Sequence, residues 1–247
     1  MSGRPLPGTM YSRSTETPVL LLGAAHVVDL AEPIRRVLAG RVLDGVAVEL
    51  DAERAQALLA EPAAPKRRSG APMLARLWGM IQRRLGADLG GGPPGAEMKV
   101  AASVAKDRSL PIFLIDDPIR VTLVNLMRSL PVKERVVLLS SAIVGLFVPA
   151  RVVERQMDRY ADAPDEFTAE LRRASPTLAR VLVDDRNEHM AERLAALRQR
   201  GFGRMAVVVG DAHLAGLSDA LRRRGVPVES IPFRELRATT ASPASPS

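Results

Sequence analysis

Cysteine is absent from the chain. That excludes disulfides, thiolate zinc sites, iron–sulfur clusters and cysteine nucleophiles, and a cytoplasmic setting fits best. Aromatic residues make up only 3% of the sequence. Lysine is scarce too: Lys66, Lys99, Lys106 and Lys133 are four of 35 basic residues, which leaves 31 arginines. The formal charge of +7 is therefore spread over arginines in many segments, with few aromatics to stack on bases, and no specific nucleic-acid partner is expected. No apolar run reaches the roughly 20 residues that span a bilayer. The longest, Val136 to Ala150, is interrupted by serines, a glycine and a proline and reads as a buried helix, so no transmembrane segment is expected. Met1 to Thr17 lacks the apolar core and cleavage site of a secretory signal. Neither a Gly-Lys-Ser/Thr phosphate loop nor a Gly-x-Ser-x-Gly elbow occurs.

What the chain does have is enough apolar residue for a core: 247 residues at 47% hydrophobic content suit one large α/β domain. Residues 1–17 read as a flexible arm, 18–237 as a single domain, and the low-complexity stretch 238–247 as a disordered tail. Residues 62–95 combine a basic, proline-bearing linker, an amphipathic helix and a Gly-Gly-Gly-Pro-Pro-Gly run at 90–95, and are expected to form a mobile lid or an insertion.

Short apolar runs at Pro18–Leu22, Gly45–Leu50, Pro111–Ile115, Met205–Val209 and Val226–Ile231 alternate with helix-like segments such as Asp29–Ala39 and Ala96–Lys106. Asp51 is placed to cap the helix after it. The alternation predicts an α/β fold, with a largely parallel or mixed sheet flanked by helices and an additional helical block between Ile119 and about Arg200. Ligands of such sheets gather beyond the C-terminal ends of the strands.

Two of the three histidines share one local pattern, Gly23-Ala-Ala-His26 and Gly210-Asp-Ala-His213, each after an apolar run. The match continues past the histidine: Leu30 aligns with Leu217, Ile34 with Leu221, and Arg35-Arg36 with Arg222-Arg223. Taken singly, either histidine is better explained as a helix cap or as bonded to a buried carbonyl. The duplicated strand-Gly-x-x-His-helix context favours a pair that faces one site. Two neutral imidazoles with one carboxylate form a minimal divalent-metal site that keeps positions open for water and substrate. Glu49, directly after Val46-Ala47-Val48, is placed to supply the carboxylate, either as a ligand or as a general base; an ion pair with a nearby arginine is the alternative. The third histidine, His189, lies in a charged helical stretch and reads as a surface residue.

Several blocks in fixed order resemble the TraB/PrgY family, which is related to the Tiki metalloproteases and more distantly to erythromycin esterase and ChaN-like proteins. They are the first Gly-x-x-His at 23–26, Val-Glu-Leu-Asp at 48–51 with Arg54, Pro94-Gly-x-Glu97-Met98, Leu114-Ile-Asp116, Thr122-Leu123, Asp185-Arg186-Asn187 with Met190-Ala191, and Gly210-x-x-His213. The resemblance implies a metal-dependent, peptidase-like hydrolase using manganese, cobalt, zinc or a similar divalent ion. It implies His26, His213 and Glu49 as metal ligands, and Glu49, Glu97 and Arg186 as catalytic groups. Asp116 and Asp185 are expected in a supporting layer; Asp116 would orient a histidine through its second nitrogen, or cap the helix begun by Pro118. Arg186 would hold developing negative charge, or else pair with Asp184 or Glu188. Departures from the family pattern are Asp117 and Asn125 where arginines are usual, and Asp185-Arg186-Asn187 for Glu-Arg-Asp. Expected partners are a peptide or small amide or ester substrate and a second copy of the chain in a homodimer. The alternative is a binding protein that sequesters a peptide, haem or metal without turnover.

Overall fold

The computed structural model describes residues 17–24, 30–59, 95–136 and 164–241. Five strands form one sheet: β1 (Val19–Ala24), β2 (Gly45–Val48), β3 (Ile112–Leu114), β4 (Met205–Gly210) and β5 (Val228–Ile231), in the order β3-β2-β4-β1-β5. Every neighbouring pair is parallel. Parallel strands joined through helices have both faces covered, which explains why β1, β2 and β4 are near-continuous apolar runs.

Period-two alternation divides those runs between two cores. Leu20, Leu22, Ala24, Val46, Val48, Ala206 and Val208 point to the first face, where α1 (Ala31–Ala39) packs Ile34 and Leu38 and α3 (Ala96–Asp107) packs Met98, Ala101 and Ala105. Val19, Leu21, Ala47, Met205, Val207 and Val209 point to the second face. There α7 (Asp185–Gln199) contributes Met190, Ala191 and Leu194, and α8 (Asp211–Arg223) contributes Leu214, Leu217 and Leu221. Helix α2 (Ala52–Leu59) follows β2, and α9 (Phe233–Ala241) returns Phe233 and Leu236 to the first face.

The central block contains α4 (Ile119–Ser129), α5 (Pro164–Ala174) and a short α6 (Pro176–Ala179). One π turn, Arg180–Asp184, joins α6 to α7, and Leu126, Leu130 and Val181 form a small core of their own. Among the described residues no helix is long and apolar enough to cross a membrane.

The all-parallel sheet realises the expected fold class, while several boundaries move. Strand β1 continues through Gly23 to Ala24, because both still pair with β4, Gly23 opposite Val209 and Ala24 opposite Gly210. Helix α8 begins at Asp211 rather than at His213, so the histidine sits in its first turn. The apolar positions aligned between the two Gly-x-x-His units, Leu30 with Leu217 and Ile34 with Leu221, are all fully buried, but their helices lie on opposite faces of the sheet. His26, most of the expected lid at 62–95 and most of the apolar stretch 136–150 lie outside the described residues.

Candidate functional site

Three neighbouring strands deliver polar side chains to one edge of the sheet, the C-terminal one. Glu49 follows β2, and its N–H still donates to Val208 O across the ladder at 3.1 Å. Asp116 stands two residues past β3, and His213 three residues past β4. All three are buried, at 6%, 4% and 6% exposure, where ionised carboxylates persist only if paired.

The pairing is made by Arg186, from the first turn of α7. Its Nε donates to Asp116 Oδ1 at 3.0 Å and its Nη2 to Asp116 Oδ2 at 2.7 Å; Nη2 also bonds Glu49 Oε1. Its Nη1 donates to Leu182 O in the π turn at 3.2 Å and meets His213 Nε2 at 3.0 Å. Burial pulls this guanidinium downward, but Glu49 and Asp116 outweigh it and hold the group far above the ordinary arginine value. The second oxygen of Glu49 accepts the Gly210 N–H at 2.6 Å, at the start of α8, where the helix dipole favours an anion.

His213 is buried and neutral: desolvation presses its pKa below the usual histidine value, and Arg186 adds to the effect against the opposing pull of Glu49 and Asp116. A guanidinium can only donate, so Nε2 is the accepting nitrogen and Nδ1 carries the proton. That proton goes to Asn187 Oδ1 at 2.8 Å. The Nε2 lone pair therefore meets Arg186, and Glu49 Oε1 lies 3.5 Å from the same nitrogen.

A further layer surrounds Asp116. Arg54 bonds Asp116 Oδ2 while its Nε donates to Asp51 Oδ2 at 2.7 Å. Asp51 caps α2 as expected, taking the Arg54 N–H on Oδ1 at 2.8 Å, and its Oδ2 also takes the Ile119 N–H at 3.3 Å, so one carboxylate serves the starts of two helices. Burial alone would raise its pKa; the backbone and side-chain bonds from Arg54 hold it below the usual carboxylate value.

The structure thus brings Glu49, Asp116, Arg186 and His213 together and corrects several expectations about them. Asp116 does not orient His213, whose Nδ1 is held by Asn187, and it does not cap α4, because Asp51 holds the Ile119 N–H. Arg186 leaves Asp184 to Arg172 and Glu188 to Arg223 and Arg224. Asp185 is 54% exposed and faces Arg180 on the outside of α7, so it is not part of the supporting layer. Glu97 is buried in the first turn of α3, which enters β3 through a short loop and so starts at the same edge of the sheet. Asp117 faces His189 at 3.1 Å and Arg193 at 3.2 Å; His189 is 40% exposed, the surface residue expected. Asn125 is exposed on α4. Among the described residues no three histidine, aspartate or glutamate side chains group as a metal site. Glu49 and His213 form a pair, and His26 follows β1, the neighbour of β4.

Asn187 is the functional neighbour that sequence reasoning missed, although a signal for it exists. It continues the buried stripe Met190, Ala191 and Leu194 backward at helical spacing, whereas Asp185 lies off that stripe.

The blocks in fixed order have a counterpart in known proteins: the TraB/PrgY/gumN family matches residues 11–230. The chain belongs to that family. This TraB/PrgY/gumN protein is also 28% identical, over 225 residues, to an uncharacterized protein of Methanocaldococcus jannaschii, an overlap of 87% of this chain and 56% of that protein. It thus spans about half the length of that relative. Glu49, Asp116, Arg186, Asn187 and His213 all fall within the span that the TraB/PrgY/gumN family matches.

Proposed function

We propose that the chain is a divalent-metal-dependent hydrolase of peptides or of small amides or esters, with Glu49 and His213 among the ligands of the ion. One observation carries the reading: Glu49 Oε1 and the Nε2 lone pair of a neutral, amide-oriented His213 converge, 3.5 Å apart, at the edge of a parallel sheet. A carboxylate oxygen and a neutral imidazole nitrogen suit manganese, cobalt or zinc, and an imidazole fixed through its other nitrogen is the usual form of a histidine ligand. His26 would be the third ligand.

A divalent ion held there would supply Lewis-acid polarisation of a scissile carbonyl. The chain's own groups supply the rest. If Glu49 acts as general base rather than as ligand, its Oε1 would take a proton from an attacking water while Oε2 stays on the Gly210 N–H. Arg186, anchored on Asp116, would offer N–H donors to an oxyanion once they leave Glu49 and His213. Glu97 is the candidate for a second proton-transfer group. The cysteine-free composition is compatible with work in the cytosol.

The test is metal analysis of the purified chain followed by cleavage of a peptide library, with light scattering on the same sample to read the expected homodimer. Bound metal and turnover, both lost in Glu49→Gln and His213→Ala, is the expected result. Full turnover in Glu49→Gln would sink the proposed roles of Glu49. Ligand binding without turnover would favour the second reading, a sequestering protein. The observation on its side is that Arg186 already commits both Nη groups within the site.

A further inference from the structure

A cation already stands between Glu49 and His213. The five N–H donors of an arginine are all engaged at Arg186: Nε on Asp116, Nη1 on Leu182 O and His213 Nε2, Nη2 on Glu49 Oε1 and Asp116 Oδ2. We infer that Arg186 is a built-in counter-cation that competes with a divalent ion for Glu49 Oε1 and His213 Nε2, so that the ion enters only as the guanidinium leaves those two atoms. The inference rests on the metal-site reading proposed above.

The competition follows from the atoms. With its proton on Nδ1, an imidazole has a single in-plane lone pair on Nε2, which cannot accept a hydrogen bond and ligate a metal at once. On His213 that lone pair meets Arg186 Nη1 at 3.0 Å. Glu49 cannot rotate a fresh oxygen inward without giving up the Gly210 N–H at 2.6 Å. A Cβ at position 210 would come within 3.3 Å of Glu49 Oε2, so the glycine is what lets the carboxylate lie this close to the start of α8. A divalent charge beside the guanidinium would also repel it strongly at this depth.

The guanidinium has somewhere to go. Asp116 grips it through Nε and Nη2, independently of Glu49 and His213, and the side chain is 16% exposed rather than sealed. Swinging about Asp116 keeps its charge paired while freeing N–H donors beside the ion. The residue that fills the site without metal would then present those donors to a substrate oxygen once metal is bound.

The experiment titrates the full chain, stripped with EDTA, with Co2+ followed by its visible absorption, and compares Arg186→Met with the wild type. The expected result is Co2+ binding about tenfold tighter or more in the variant, lost again when His213→Ala is added. Equal or weaker binding in Arg186→Met would overturn the inference and leave the metal reading standing; no binding by either protein would overturn both. Should the variant fail to fold, the wild type answers through the 15N signals of Arg186. Saturation with Zn2+ should speed exchange of the Nη protons released from Glu49 and His213, while Nε, held by Asp116, stays slow. Nη protection that persists with Zn2+ bound overturns the inference.

Discussion

Asn187 meets two demands with one amide. Its Oδ1 takes the His213 Nδ1 proton, and its Nδ2 lies where a Cβ on Gly216 would come within 2.2 Å. Gly216 is thus the space in which the orienting amide sits. Asn187→Ala leaves a buried Nδ1–H without its partner, and the expected loss is about 1–3 kcal/mol, read by urea denaturation. The more specific readout is the tautomer: in nitrogen-correlated NMR spectra His213 should be protonated on Nδ1 in the wild type and shift toward a mixture in the variant. An unchanged tautomer would assign the orientation to Arg186 alone. Gly23 is as constrained. A Cβ there would meet Asp211 Oδ1 at 2.0 Å and the Phe233 backbone nitrogen at 3.1 Å, while that same oxygen takes the Phe233 N–H at 2.9 Å. Gly23→Ala should cost about 1–3 kcal/mol by overpacking, visible as a lowered denaturation midpoint; a midpoint equal to wild type would mean that Asp211 yields freely. The sequence marks Gly23 only as part of the repeated Gly-x-x-His pattern, because a lone chain gives no sign of a carboxylate arriving from residue 211.

Elements were legible in proportion to their periodicity. The strands announce themselves as apolar runs, and the end of β2 marks Glu49 because a charged residue directly after Val46-Ala47-Val48 has few structural reasons to be there. Helix α7 opens Asp-Arg-Asn-Glu-His, five polar residues with no apolar face, so its rotation is legible only by carrying the stripe Met190, Ala191 and Leu194 back into that opening. At 100° per residue, that rotation decides whether Asp185 or Asn187 turns to the sheet. The roles of Asp116 were hidden for a similar reason: its partners Arg54 and Arg186 lie 62 and 70 positions away. At the opposite edge of the sheet, Asp44 ties the start of β2 to the start of β4. Its carboxylate takes the Arg204 N–H at 2.8 Å and Arg204 Nη2 at 2.5 Å. Burial alone would raise its pKa, but the Arg204 side chain and backbone outweigh that and hold it below the usual value. Because the folded value is the depressed one, the stabilisation is present above the unfolded pKa of about 3.9 and fades as pH falls through the folded value. The pair is partly exposed, so Asp44→Asn should cost about 1 kcal/mol or less at pH 7, with the difference from wild type closing in acid. A gap that widens on acidification would contradict the assignment.

For the molecule as a whole, the strand order has a consequence in time. Strand β4 lies between β1 and β2, yet it is made more than 150 residues after either of them. Until residue 205 leaves the ribosome, β1 and β2 have no partner joining them, and each presents a bare apolar edge of the kind that recruits other chains. The sheet is thus completed by insertion rather than by growth at its rim, and closing such distant contacts is slow. Nascent chains arrested before Arg204 should be cut rapidly by protease and bind chaperones, whereas chains arrested with Ile231 outside the tunnel should be protected. Equal protection at both arrest points would mean that β1 and β2 find a stable pairing without their central neighbour. Synthesis therefore leaves the sheet most vulnerable just before β4 emerges, and the residues of the candidate site first meet in the moment that vulnerability ends.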